Sequence, residues 1–301
     1  PDYFLPTDAY LETCAAVGAG FFSQRMNQLT CNTRYMDEVE RVLYNNVLTG
    51  VSLSGDKYTY QNPLNTDKPD RWEWHVCPCC PPMFLKIMAA MPGYIYAYQG
   101  DNVYVNLFIG SEVRVPVGKS NSVRLKQLTS YPWHGAVSIQ VNPDKASTFS
   151  MKVRIPGWAQ GTENPYDLYQ SNLKAPVKLK VNQEDVLLRI VDGYAEINRE
   201  WKKGDHIELE LPMQPRLITA NKAVENLWGQ VALASGPIIY CFEDADNPEL
   251  QTFKLQAQTP LELSHDSNLL NGVNIIKCQG DIPAKAIPYY AVANREESHS
   301  Y

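Results

Sequence analysis

The chain has 301 residues, of which 44% are hydrophobic, so it is long enough for one large domain or two modest ones with a real core. It carries 27 lysine and arginine residues against 33 acidic ones, a net charge of −6, and lacks the basic excess that nucleic-acid binding requires. The longest apolar run, residues 228–242, is broken by Gly229, Gly236 and Pro237, which excludes a membrane-spanning helix.

The first hundred residues have the apolar spacing of helices. Small and apolar residues recur at helical spacing over 13–29, with Asp8 as a candidate cap. A second apolar stripe predicts a helix over 35–49 that ends at Gly50. A third helix is predicted to begin at the proline pair 81–82 and to end near residue 91. Because the chain begins with proline, we expect it to be a piece of a longer protein, which leaves its compartment unknown.

Beyond residue 94 the apolar period changes from 3.6 to 2 residues, which predicts β-strands. Glycine, proline, asparagine and aspartate fill the connections, as in antiparallel sandwiches. Helices followed by strands, instead of the two alternating, predict an α+β multidomain chain and disfavour a parallel doubly wound sheet. The predicted strands cover residues 103–108, 113–117, 123–128, 137–141, 151–155, 177–181 and 207–211.

The β portion is longer than one small sandwich needs, so we divide it near Pro215. The predicted domains are a helical domain over residues 1–97, a first β-sandwich over 98–215 and a second over 216–301.

Several cysteines and one glutamate form a candidate metal site. Cys79 and Cys80 are adjacent, and Glu12 and Cys14 lie close together near the start of the chain. Three thiolates and a carboxylate can fill a four-coordinate zinc site. The spacing matches no zinc finger, so from the pattern alone metal binding and buried free cysteines remain equally open.

Other interpretations of these residues compete with metal binding. Cys79 and Cys80 can form a disulfide with each other or with another cysteine, although a bridge between neighbours is strained. Each can also pack as a small apolar residue, and we expect Cys77 to pack in this way near the site. Glu12 can be a solvated residue in the first turn of a helix, where the helix dipole favours it.

Seven short runs together resemble the β-L-arabinofuranosidases of glycoside hydrolase family 127, and the related family 146 is also similar. The order and joint spacing of the runs are more specific than any one of them. They are ETCAA at 12–16, VERVLYN at 39–45, YQNPL at 60–64, CPCCPP at 77–82, RIPGWA at 154–159, GPIIYC at 236–241 and IPYY at 287–290.

The resemblance implies that residues 1–97 are the last helices of an (α/α)6 barrel, followed by antiparallel, jelly-roll-like β-sandwiches. It also implies one Zn²⁺ ion held by Glu12, Cys14, Cys79 and Cys80, with Cys79 as the nucleophile. The general acid/base glutamate is then expected in sequence that precedes Pro1, so we expect the 301-residue chain alone to be nearly inactive.

The resemblance further implies that Glu40 and Tyr60 contact the sugar. From the residues alone, Glu40 is better explained as a surface charge that pairs with Arg41 or with a lysine elsewhere, and Tyr60 as strand packing.

The leading hypothesis is therefore a zinc-dependent retaining glycosidase that releases L-arabinofuranose or a similar pentose from plant-derived glycans. We also expect its helices to expose apolar surface that leads to self-association. The alternative is a non-catalytic module with a structural zinc site and carbohydrate-binding sandwiches. Its candidate aromatic platforms are Trp133, Trp158, Trp201 and Trp228.

Overall fold

A computed structural model describes residues 10–63, 66, 71–164 and 167–295, so the candidate cap Asp8 lies outside the described residues. The described part begins with helices and continues with strands. Helix α1 covers Thr13–Thr30, α2 covers Thr33–Val42 and α3 covers Cys80–Ala90. None of these helices is both long and apolar enough to cross a bilayer.

The second helix differs from its prediction over 35–49. It begins at Thr33, where the Asn32 side chain accepts a hydrogen bond from the Arg34 amide at 3.1 Å, as an N-cap does. The α-helix ends at Val42 and continues as a π-helical turn over Leu43–Val47 and a 3-10 turn over Leu48–Gly50. Sequence periodicity does not distinguish these turns from a continuous helix, because the apolar residues still fall on one side.

Eighteen strands are described, and they form three sheets. In chain order they are β1 Tyr96–Gln99, β2 Asn102–Val105, β3 Ser111–Val117, β4 Asn121–Thr129, β5 Ala136–Pro143, β6 Ser147–Arg154, β7 Tyr169–Ser171, β8 Lys178–Val181, β9 Glu184–Asp185, β10 Ile190–Val191, β11 Tyr194–Trp201, β12 Asp205–Glu210, β13 Arg216–Ala220, β14 Val231–Ser235, β15 Ile238–Phe242, β16 Leu261–Asp266, β17 Val273–Cys278 and β18 Ala284–Pro288.

The first sheet has the order β1-β2-β6-β11-β10 and the second β3-β4-β5-β12-β8-β9. Their inward residues alternate with exposed ones and share one hydrophobic core, as the two layers of a sandwich do. Met151 of the first sheet and Ile139 and Ile207 of the second are all inaccessible to solvent. Pairing is antiparallel as predicted, with the exception that β2 runs parallel to β6.

The third sheet has the order β16-β17-β18-β15-β14-β13-β7 and is antiparallel throughout. Six of its strands follow Pro215, and β7 joins its edge from residues 169–171. The sheet therefore includes one strand, β7, that precedes the boundary predicted at Pro215. The limits of the three domains stay a prediction. The (α/α)6 barrel also stays a prediction, since three α-helices are described.

Candidate metal and active site

Four candidate ligands converge beside the helices. Glu12, Cys14, Cys79 and Cys80 each offer one ligand atom, and these atoms all lie within 4.8 Å of one another. The Sγ atoms of Cys14 and Cys80 are 3.5 Å apart, and those of Cys79 and Cys80 are 3.9 Å apart. The Cys79 Sγ lies 3.2 Å from a carboxylate oxygen of Glu12. All seven cysteines are free, so the disulfide interpretation is wrong.

The first pair of ligands is positioned where the chain enters α1. Glu12 has an extended backbone and forms an isolated bridge with Gln61. The Thr13 amide donates to the Tyr60 carbonyl at 2.9 Å, and the Thr13 hydroxyl donates to the Thr59 carbonyl at 2.8 Å. These bonds fix the Glu12 and Cys14 side chains against the extended segment 58–61.

The second pair lies at the beginning of α3. Cys79 occupies the N-cap position and Cys80 is the first helical residue, with prolines in the first turn. The Cys79 amide donates to the Cys77 carbonyl at 2.9 Å. Cys77 itself is exposed, so the expectation that it packs near the site is wrong.

The donor set and its spacing fit a tetrahedral metal. Ligand bonds of about 2.3 Å to sulfur and about 2.1 Å to oxygen place two sulfurs about 3.8 Å apart, and a sulfur and an oxygen about 3.6 Å apart. Three separations in the structure, 3.2, 3.5 and 3.9 Å, lie near these values, and all four ligand atoms lie within 4.8 Å of one another. Burial raises the pKa of Cys14 and raises that of Cys80 to about 11, so without a cation both thiols are neutral. The cluster is thus able to hold a metal ion.

Aromatic rings lie beside the cluster. Tyr58, Tyr60 and Cys80 form one small buried group, and Trp72 packs against it. The His75 ring lies 4.6 Å from both the Tyr60 and the Trp72 ring centroids. The sequence prediction included Tyr60 but missed Trp72 and His75. The aromatic density of the run WEWH at 72–75 is the signal that could have identified them.

Glu40 lies in a different environment, a buried ion pair. Its side chain is nearly inaccessible, and Arg154 donates to both carboxylate oxygens. Tyr131 also donates to it at 2.8 Å and Trp158 at 3.3 Å. The expected surface pairing with Arg41 is therefore wrong, because Arg41 pairs with Glu38. Glu40 is not a member of the metal cluster, and its contact with a sugar stays a prediction.

The chain matches three consecutive domains of one enzyme group. These are the catalytic domain of GH127 β-L-arabinofuranosidase at residues 1–93, its middle domain at 102–213 and the glycoside hydrolase family 127 C-terminal domain at 215–300. A non-reducing end β-L-arabinofuranosidase of Bifidobacterium longum is 31% identical over 346 residues, which cover 98% of this chain and 49% of that protein.

Solved structures agree with these matches. A GH127 β-arabinofuranosidase superposes with a TM-score of 0.92 at 36% identity, over 99% of this chain and 50% of the other. A GH127 β-L-arabinofuranosidase from Geobacillus stearothermophilus T6 gives a TM-score of 0.89 at 34% identity, over 98% of this chain and 50% of the other.

The fold and these similarities place the chain among the glycoside hydrolases. It belongs to glycoside hydrolase family 127, as the sequence motifs indicated. The chain spans about half the length of the relatives that it matches.

Proposed function

We propose that the protein containing this chain is a zinc-dependent retaining glycosidase that hydrolyses β-L-arabinofuranosides or similar pentosides. The observation that supports this most strongly is the convergence of Glu12, Cys14, Cys79 and Cys80 from two segments some 67 residues apart. Plant-derived glycans that carry arabinofuranose are the proposed substrates. The helices of residues 1–97 would contribute to an (α/α)6 barrel.

We assign the nucleophile to Cys79. It is partly accessible, whereas Cys80 is 1% exposed and suits a purely ligating role. A bound zinc ion would keep the buried thiols deprotonated at neutral pH. The Cys79 Sγ then attacks the anomeric carbon, and the carbon–sulfur bond forms as the bond to the leaving oxygen breaks.

The proton transfers are assigned to a glutamate that the family resemblance places ahead of Pro1. That carboxyl group protonates the leaving oxygen, then takes a proton from the water that attacks the anomeric carbon and displaces Cys79. Two inversions at one carbon give net retention.

Tyr60 is the better placed of the two proposed sugar contacts. Its ring lies in the group that includes Cys80 and packs with Cys79, so a sugar at the nucleophile would meet this ring and those of Trp72 and His75. Glu40 already accepts hydrogen bonds at both oxygens. A sugar contact by Glu40 would require it to share these donors.

The assignment is tested with a protein that contains this chain and hydrolyses an aryl β-L-arabinofuranoside. Cys79→Ala should lower kcat by at least a thousandfold, because the covalent route is lost. Mass spectrometry of the quenched wild-type enzyme should find one pentosyl group on the peptide that contains Cys79. Cys77→Ser is the matched control, since Cys77 is exposed in the same loop, and it should keep wild-type turnover. Near-normal turnover of Cys79→Ala would refute the nucleophile assignment.

The binding-module alternative has less support. Trp158 and Trp201, two of its four candidate platforms, are 6% and 0% exposed and cannot stack on a sugar. Trp228 is 62% exposed and is the remaining strong candidate. Binding of arabinan oligosaccharides to the whole chain, lost in Trp228→Ala, would favour this alternative.

A further inference from the structure

The three family-like runs of the β part, at residues 154–159, 236–241 and 287–290, each contact residues that precede the first strand. None of the runs lies in the metal cluster. The contacts are Arg154 with Glu40, Pro237 and Ile239 with Asn45, and the turn at 289–292 with Pro63 and Arg71. The contact between Arg71 and the turn at 289–292 involves the segment that leads to Cys79 and Cys80.

Arg71 joins three carbonyl groups from two parts of the chain. Its Nε donates to the Val292 carbonyl at 2.9 Å, one Nη to the Thr49 carbonyl at 2.8 Å and the other to the Tyr290 carbonyl at 3.1 Å. Burial lowers the pKa of Arg71 to about 10, so the group is still charged at neutral pH. Charge-assisted bonds of this kind are stronger than neutral ones, and the planar guanidinium fixes their directions.

Two of the three carbonyl groups that bind Arg71, those of Tyr290 and Val292, are themselves fixed to the third sheet. They belong to the turn Tyr289–Ala291 and the residue after it, which follow β18 directly. The Ala293 amide donates to the buried Glu243 carboxylate at 2.8 Å, and Arg295 donates to the same carboxylate at 3.1 Å. The turn is therefore held by the sheet on both sides of the Arg71 contacts.

Arg71 is connected to the cysteines through its neighbour Trp72. The backbones of Trp72 and Tyr58 exchange two hydrogen bonds, at 2.8 and 2.9 Å. Tyr58 in turn packs in one buried group with Cys80. The segment between Trp72 and Cys79 contains no helix or strand, so it is held at its start by Trp72, which pairs with Tyr58, and at its end by α3, which begins at Cys80.

We propose that Arg71 is a positioning residue through which the third sheet holds the Cys79–Cys80 loop against Glu12 and Cys14. The β part of the chain then contributes to the metal cluster without supplying a ligand. Loss of Arg71 frees the loop and removes one donor from each of three carbonyl groups, and the thiol pair moves away from Glu12 and Cys14.

The test compares Arg71→Met with Arg216→Met in the whole chain. Arg216 is a more deeply buried arginine at the start of β13, where it binds Glu163 and the Gly236 carbonyl. Its loss also destabilises the third sheet, so it controls for a general loss of stability. The first readout is alkylation of Cys80 by iodoacetamide in protein freed of metal, followed by mass spectrometry. The second is the rate of zinc release to a chelator, which rests on the proposed zinc site.

Arg71→Met should increase the rates of Cys80 alkylation and zinc release at least tenfold, with Arg216→Met within about twofold of wild type. Arg71→Lys keeps the charge but cannot donate to all three carbonyl groups in the same directions, so it should give intermediate rates. If Arg71→Met does not fold, the comparison is made with Arg71→Lys instead. Equal acceleration in the Arg71 and Arg216 variants would overturn the proposal. A wild-type chain that binds no zinc, but whose Cys80 becomes reactive in Arg71→Met, would refute the zinc assignment and support the positioning role.

Discussion

Glu40 is a buried charge whose partners come from distant parts of the chain. Arg154 lies 114 residues away in sequence, Tyr131 lies 91 away and Trp158 lies 118 away. Arg154 is inaccessible to solvent and also binds Asp37 at 2.6 Å. Removing one member of such a group leaves the others desolvated without compensation.

Glu40→Gln should therefore lower the free energy of unfolding by about 3 kcal/mol, the lower end for a broken buried ion pair because Asp37 still faces Arg154. Urea denaturation checks this as a shift of the midpoint at constant slope. Glu38→Gln on the same helix is the control. It removes a half-exposed pair with Arg41 and should cost less than about 1 kcal/mol. Equal losses in the two variants would contradict this account of Glu40.

The residues of the cluster show how much of the candidate site can be predicted from sequence. The thiols and Glu12 alone left metal binding, packing and a disulfide open, and the order of the family motifs favoured metal binding. Whether a given cysteine is a ligand or an exposed thiol depends on its burial, and burial depends on contacts between residues that are distant in sequence. Cys77 and Cys80 are three positions apart, yet one is exposed and the other 1% exposed. Glu40 was misjudged for the same reason, since nothing near it in sequence identifies Arg154.

At the scale of elements, the π-helical turn after α2 is a point of attachment to the third sheet. Asn45 lies in this turn and is 5% exposed. Its side chain donates to the Pro237 carbonyl at 2.9 Å and accepts from the Ile239 amide at 2.8 Å. The Asn45 amide therefore binds the backbone at the start of β15, which β18 does not reach, because β15 and β18 pair over Tyr240–Phe242.

Asn45→Ala should lower the free energy of unfolding by about 2 to 3 kcal/mol, because the Pro237 carbonyl and the Ile239 amide lose their partner. Asn46→Ala makes the same change one residue on, at a half-buried position, and should differ from wild type by less than about 1 kcal/mol. Urea unfolding of both variants provides the measurement. If Asn46→Ala lowered the free energy of unfolding as much as Asn45→Ala, the effect would come from the helical turn itself and not from the contact with β15.

Most elements follow from local pattern, while their pairing does not. Alternating apolar residues predicted β4 and β5, and the structure places both within a residue or two of the prediction. The same alternation gave no sign that β2 runs parallel to β6, because strand direction depends on the connection and not on the strand. The π-helical turn was likewise missed, since Asn45 meets its partners 192 and 194 residues away.

At the scale of the whole molecule, the helices pack on one another over a core shared with the sheets and leave apolar residues of α1 and α3 exposed. Phe22 is 64% exposed and Leu29 is 79% exposed, two helical turns apart on one face of α1. Leu85 of α3, a helix that packs on α1, is 66% exposed. Exposed apolar side chains of this size favour association, because each gains about 1.5 to 3 kcal/mol when fully buried.

The chain should therefore self-associate, with a weight-average sedimentation coefficient that rises with protein concentration. Replacing Phe22 and Leu85 together by glutamate should remove this dependence, since two charges would then have to be desolvated at the contact. Leu187→Glu is the control, because Leu187 is 91% exposed but lies between strands of the β part, and it should associate like wild type. A wild-type chain that sediments as a monomer at every concentration, or a Leu187 variant that dissociates as fully as the helix variant, would show that the helical face does not drive association.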